Sequence, residues 1–183
     1  TAKSFRLNRL TAIESVTSRR EVGSSAYQSE NHALGFAIRG SDQLLELKLG
    51  LQDIPLQGFP NQRMDMTRNR SEQINLHYRQ QLEWGNVDAR IYHEHTQHRM
   101  NFSDDKQYWY GNAPGMPMET AGHNTGAVLK ADWMLSERDK LILGSELQRY
   151  RMNDWWNASG TGMMMAPNTF INIKDGERNR LAI

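Results

Sequence analysis

The chain has 183 residues, 38% hydrophobic and 23% charged, with a mean hydropathy of -0.76. That balance excludes a bundle of membrane helices, since no apolar run approaches the ~18–20 residues a transmembrane helix requires. A net charge of +1 supplies no field to gather nucleic acid, and the absence of cysteine removes disulfide, zinc–thiolate and thiol-nucleophile chemistry. The aromatic share, with five Trp and six Tyr, is too rich for a disordered chain.

The hydrophobic pattern has period two. Side chains in a strand point to opposite faces in turn, so alternation marks a strand with one apolar face. In chain order the pattern predicts about eight strands, near 4–16, 26–39, 43–53, 71–84, 87–102, 123–135, 139–152 and 175–183. The first segment, SFRLNRLTAIESV, also reads as a short amphipathic helix. In the third, Leu45, Leu47, Leu49 and Leu51 alternate with Glu46, Lys48, Gly50 and Gln52. Tight turns are predicted at Gly40-Ser41-Asp42, Gly85-Asn86 and Ser136-Glu137-Arg138-Asp139. Between them lie long polar stretches at 54–70, 103–122 and 154–174, which hold all five Pro.

Short turns at one end and long loops at the other form the outer-membrane pattern, in which tilted strands of ~9–11 residues cross the bilayer. The expected fold is all-β, an antiparallel meander forming part of a transmembrane β-barrel, and an open curved sheet when isolated. Residues 1–183 make one partial barrel domain. Leu45, Leu47, Leu49, Leu129, Leu141 and Leu143 should face lipid. Glu46, Lys48, Arg79, Arg90, Lys130 and Glu146 should face the interior. Trp84 and Trp133 fall beside short turns, where amphipathic rings favour the inner rim of the membrane. A soluble antiparallel sheet alternates as well, so a soluble all-β binding module, with carbohydrate as its ligand, is the second reading.

Several motifs carry chemistry. In HEHTQHRM (93–100), His93 and His95 share one strand face, and His98 and Met100 share the other. Two histidines at i and i+2 suit Zn²⁺ or Cu²⁺, but four ligands from one strand diverge, so no complete metal site is read here. Met64, Met66, Met116, Met118, Met163, Met164 and Met165 fall in the long polar stretches. Thioethers select Cu(I) or make adaptable apolar contacts. Tyr108 and Trp109, like Trp155 and Trp156, form aromatic clusters suited to stacking. The candidate ligand-binding set is therefore Met116, Met118, Met163, Met164, Met165, Trp155, Trp156, Tyr108 and Trp109. No nucleophile–base motif or phosphate loop occurs, so neither an enzyme nor a resident cofactor is expected.

The runs LLELKLGLQDIPLQGFPNQRMDM (44–66), RIYHEHTQHRMNF (90–102), YWYGNAPGMPMET (108–120), LSERDKLILGSELQRYRMNDWW (135–156) and MMMAPNTF (163–170) resemble TonB-dependent outer-membrane receptors. The resemblance covers most of residues 26–183. It implies a 22-stranded barrel of the bacterial outer membrane, filled by an N-terminal plug. Substrates such as ferric siderophores or metal chelates pass when the TonB complex pulls on the plug. The chain shows no plug, TonB box or terminal aromatic strand. Its implied partners are its own plug, the remaining strands, outer-membrane lipid and, through missing parts, the TonB complex.

Overall fold

The computed structural model describes residues 4–10, 22–103, 106, 115–162 and 165–183. Eight strands form one antiparallel sheet in strict sequence order: β1 (Ser4–Leu10), β2 (Tyr27–Arg39), β3 (Gln43–Gln57), β4 (Asp65–Leu82), β5 (Gly85–Asn101), β6 (Met118–Met134), β7 (Lys140–Trp156) and β8 (Phe170–Ala182). Among the described residues β1 and β8 each pair with one strand, so the sheet is open. The segment read as strand or helix at 4–16 contributes the strand β1.

The turns explain the meander. Gly40 N–H donates to the Gln43 carbonyl at 2.9 Å and closes the β2–β3 hairpin. The β6–β7 turn is tied by Ser136, whose Oγ donates to Asp139 Oδ2 at 2.7 Å and accepts the Asp139 N–H at 3.1 Å. In the β4–β5 hairpin, Leu82 pairs with Gly85, so the turn is Glu83-Trp84 rather than Gly85-Asn86. Gly85 is required one step later: at φ +149 its missing Cβ would stand 1.8 Å from the Asp132 carbonyl oxygen on β6.

The strands outrun the alternation that announced them. β4 begins at Asp65 rather than 71, β6 at Met118 rather than 123, and β8 at Phe170 rather than 175. At these ends of β4 and β6 no apolar alternation is kept, and at β8 Phe170, Ile171 and Ile173 fall within a stretch read as loop. β4 to β7 reach 17 or 18 residues, well beyond the ~9–11 needed to cross a bilayer. The surplus rises on the side of the long connections, all of which lie at one end.

The two faces differ sharply. In-register rows such as Phe36–Leu47–Leu76–Ile91–Ala127–Leu147–Leu181 build one apolar face. Leu45, Leu49, Leu129, Leu141 and Leu143 are 36–55% exposed on it. No second layer covers them among the described residues, as a soluble sandwich would require. Leaving such a side chain in water forgoes roughly 1.5–3 kcal/mol each. Trp84 and Trp133 pack together beside the short turns, their ring centroids 5.1 Å apart and their planes tilted by 42°.

Among the described residues three apolar side chains are buried, Ile54, Met66 and Phe102, and all lie toward the long-loop end. The loops there are gathered by Asp65, which is wholly buried. Its carboxylate accepts from Lys106 Nζ at 2.6 Å, from Phe59 N–H at 2.7 Å, and from the Ser24 and Ser103 hydroxyls. Lys106 also donates to the Phe59 and Gln62 carbonyls at 2.9 and 2.7 Å. Gly58 passes so close to Ser24 that a Cβ would stand 2.2 Å from its carbonyl oxygen. Three connections thereby converge on one carboxylate.

Two predictions follow from the faces and from this carboxylate. In the full-length protein refolded into lipid vesicles, Leu129→Arg should lower urea stability by roughly 2–4 kcal/mol, whereas its neighbour Lys130→Leu should change it far less. Asp65→Asn leaves the Lys106 ammonium buried without its counter-charge, a loss of about 3–5 kcal/mol in such pairs. Limited proteolysis should then cut near 58–64 while the barrel keeps its heat-modifiable mobility in gels.

Candidate functional site

The polar face carries a chain of paired charges toward the short turns. His77 lies between Glu46 (3.0 Å) and Asp88 (2.8 Å), and Asp88 also receives Arg79 at 3.2 Å. Asp132 pairs with Lys130 at 3.3 Å and Lys140 at 2.8 Å. Glu146 accepts from Tyr92 and pairs with Arg180, and the Arg178 guanidinium sits 5.9 Å over the Tyr150 ring. Every interior charge expected from the alternation stands on this face. A surface that solvates both signs suits a water-filled or protein-filled interior.

Toward the long loops the same face changes character. Met66, Met100 and Met118 are opposite one another in register on β4, β5 and β6, and Trp156 on β7 is opposite Met118. Residues directly opposite share a face. With strands ~4.8 Å apart, the three thioethers lie within about 10 Å. One step below runs a polar row, Asn69–His98–Thr120–Asp154. Thr120 Oγ1 donates to Asp154 Oδ1 at 2.7 Å, and Asn172 Nδ2 donates to Oδ2 at 2.7 Å, so the buried Asp154 carboxylate is satisfied.

His98 is the one imidazole in this set. It lies above the apolar rows, well beyond Ile91. Burial pushes its imidazole below the usual histidine range, a shift that the Asp154 charge opposes. The ring is therefore neutral at pH 7. With Nδ1 donating to Asn69 Oδ1 at 3.2 Å, the neutral ring carries its lone pair on Nε2. Tyr150 Oη donates to Met152 Sδ at 3.5 Å further down the face. Among the described residues no group of three or more His, Asp or Glu side chains is arranged to hold a metal ion. The donors gathered here are thioethers and one imidazole.

The candidate residues from the sequence divide. The connections bearing 103–122 and 154–174 do emerge at one end and touch: Asn157 N–H donates to the Pro117 carbonyl at 2.9 Å, and Ser159 Oγ to the Gly115 carbonyl at 2.6 Å. Met116 lies in that contact. Met118 and Trp156 are strand residues on the polar face. Trp155 is on the other face, opposite Glu119, with its indole N–H donating to Asn157 at 3.1 Å. The adjacent tryptophans therefore do not form one stacking platform. Met165 packs on its own loop, its Sδ 2.7 Å from where a Gly162 Cβ would be. Met163, Met164, Tyr108 and Trp109 lie outside the described residues. Met66, Met100 and His98 were not in the candidate set. The signal for them was the strand parity of His98 and Met100, which becomes informative once Met66 and Met118 are known to be in register with it.

No family model and no curated protein matches the sequence. Among solved structures the chain is similar to the copper transporter OprC, with a TM-score of 0.65 and 20% identity. The match covers 73% of this chain and 21% of OprC, so the chain spans about a fifth of that structure. The likeness concerns the fold alone, an all-β antiparallel meander in one open sheet with an apolar and a polar face.

Proposed function

We propose that this chain is a section of a TonB-dependent transporter of the bacterial outer membrane, and that the transported substrate is copper as Cu(I). The observation that carries the copper reading is the row Met66–Met100–Met118 on the polar face, with His98 two residues from Met100. Soft thioethers select Cu(I), and a neutral imidazole is an accepted co-ligand. Methionine side chains also rotate easily, so a row of them can take an ion and release it. The likeness to a copper transporter points the same way, as does the resemblance to TonB-dependent receptors.

In this reading the long loops form an outward vestibule held in shape by Asp65 and Lys106. The ion meets Met116 at the loop contact, then the thioether row and His98. A plug inside the barrel supplies the remaining ligands and receives the pull of the TonB complex. The paired charges lower on the polar face solvate that plug. The chain binds and conducts its cargo and performs no covalent chemistry. The methionine row selects against siderophores and other hard oxygen chelates, because thioethers bind hard ferric iron poorly.

The test is Cu(I) competition against a chromogenic chelator on the full-length receptor, with copper accumulation by cells measured in parallel. Combined Met66→Leu, Met100→Leu and Met118→Leu should weaken Cu(I) binding by roughly tenfold or more, and Asn69→Ala, which frees the His98 ring, by about tenfold. Accumulation should stop when the proton-motive force is collapsed. Unchanged Cu(I) affinity in the triple variant would remove copper as the cargo, and accumulation independent of the proton-motive force would remove the TonB coupling.

A further inference from the structure

The apolar face ends toward the long loops in three successive in-register rows on β5 to β8. The first is Ile91–Ala127–Leu147–Leu181. Ala127 is the small member, and between its larger neighbours lies an open, mainly apolar groove of about 600 Å³. The next row is His93–Thr125–Arg149–Asn179, and Thr125, Arg149 and Asn179 also line the groove's upper end. The third is His95–His123–Arg151–Glu177. Passing up this face, the surface changes from apolar to polar to cationic within three rows.

The charges in these rows do not balance. Arg149 and Arg151 share one carboxylate, Glu177, at 2.8 and 3.2 Å, and both guanidiniums remain more than half exposed. Glu72, opposite His95, is already paired with Arg70 at 2.8 Å. The imidazoles of His95 and His123 stack at 4.3 Å with parallel planes, and His93 lies 5.9 Å from His123. Burial of His123, aided by the nearby His95, His93 and Arg151, pushes its imidazole below the usual range. A negative group placed here would relieve that.

We propose that the outer wall of β5–β8 binds one phosphorylated lipid of net negative charge, its acyl chain in the Ala127 groove and its phosphate against Arg149, Arg151 and His123. The chemistry of the wall selects both parts of this ligand. Ile91, Leu147 and Leu181 meet hydrocarbon at the height where lipid tails end, and guanidiniums meet the phosphate oxygens where headgroups begin. The proposal depends on the barrel fold and not on the identity of the cargo, since these rows face away from the methionine row.

The full-length receptor is placed in nanodiscs of equal phosphatidylglycerol and phosphatidylcholine with matched chains, extracted gently, and its retained lipid counted by native mass spectrometry. Wild type should retain the anionic lipid over the zwitterionic one by about tenfold. Arg149→Gln with Arg151→Gln should bring the two lipids to parity. Ala127→Trp, which fills the groove, should lower retention of both. The His123 ring protons should titrate at higher pH in phosphatidylglycerol than in phosphatidylcholine, a readout that a purely structural role for these residues would not move. Parity in wild type, which needs no variant to fold, overturns the proposal, as does a preference that survives loss of both arginines. Full anionic retention by Ala127→Trp overturns the groove, and inorganic phosphate alone producing the whole His123 shift shows that no lipid is needed.

Discussion

The backbone ladder is the constraint on which everything else here depends. In a bilayer every N–H and C=O must be satisfied by protein, and strands manage this only by pairing on both sides until a barrel closes. A strictly sequential meander does this locally, with turns of two to five residues at three of its steps. The ladder also forces side chains to alternate, so one chain must serve two solvents at once. The leucine rows and the Glu46–His77–Asp88 chain are neighbours along the same strands, separated only by parity.

A protein built this way has almost no core of its own. Three apolar side chains are buried among the described residues, against more than twenty large ones left exposed. The apolar face is left uncovered among the described residues, and ordinary burial is confined to the loop end. There the fully hydrogen-bonded Asp65 and Lys106 pair gathers the connections over the start of β4, one residue from Met66. The best-packed part of the chain is therefore also the part that carries the thioether row. Such a pair contributes little net stability compared with an apolar substitute, but it fixes one arrangement of the loops, which is what a ligand vestibule requires.

The fold was legible because period two is a direct consequence of a strand with one apolar and one polar face. Leu45 to Leu51 display it without interruption, and the faces of Glu46, Lys48, Arg79, Arg90, Lys130 and Glu146 came out as expected. The signal fades toward the long connections: residues 65–70 and 118–122 are strand, but they carry too few apolar residues at alternate positions to mark them. The site was read less well for the same reason. Met66 and Met118 looked like loop methionines, and only the register of four strands shows them facing Met100 and Trp156. Trp155 and Trp156 looked like one cluster, but adjacent strand residues point apart. Cross-strand register depends on turn length and bulges, such as the one between Met66 and Arg68, which single-residue patterns do not encode.

The absence of cysteine allows the central claim to be read one residue at a time. Single cysteines at positions 127 to 132 of β6, in the full-length protein in lipid vesicles, can carry a nitroxide label whose collision rates with oxygen and with a water-soluble nickel chelate are measured. The two-faced wall predicts oxygen maxima at 127, 129 and 131 and nickel maxima at 128, 130 and 132, in strict alternation. Uniform access to the nickel chelate along the strand, or a period other than two, would contradict it.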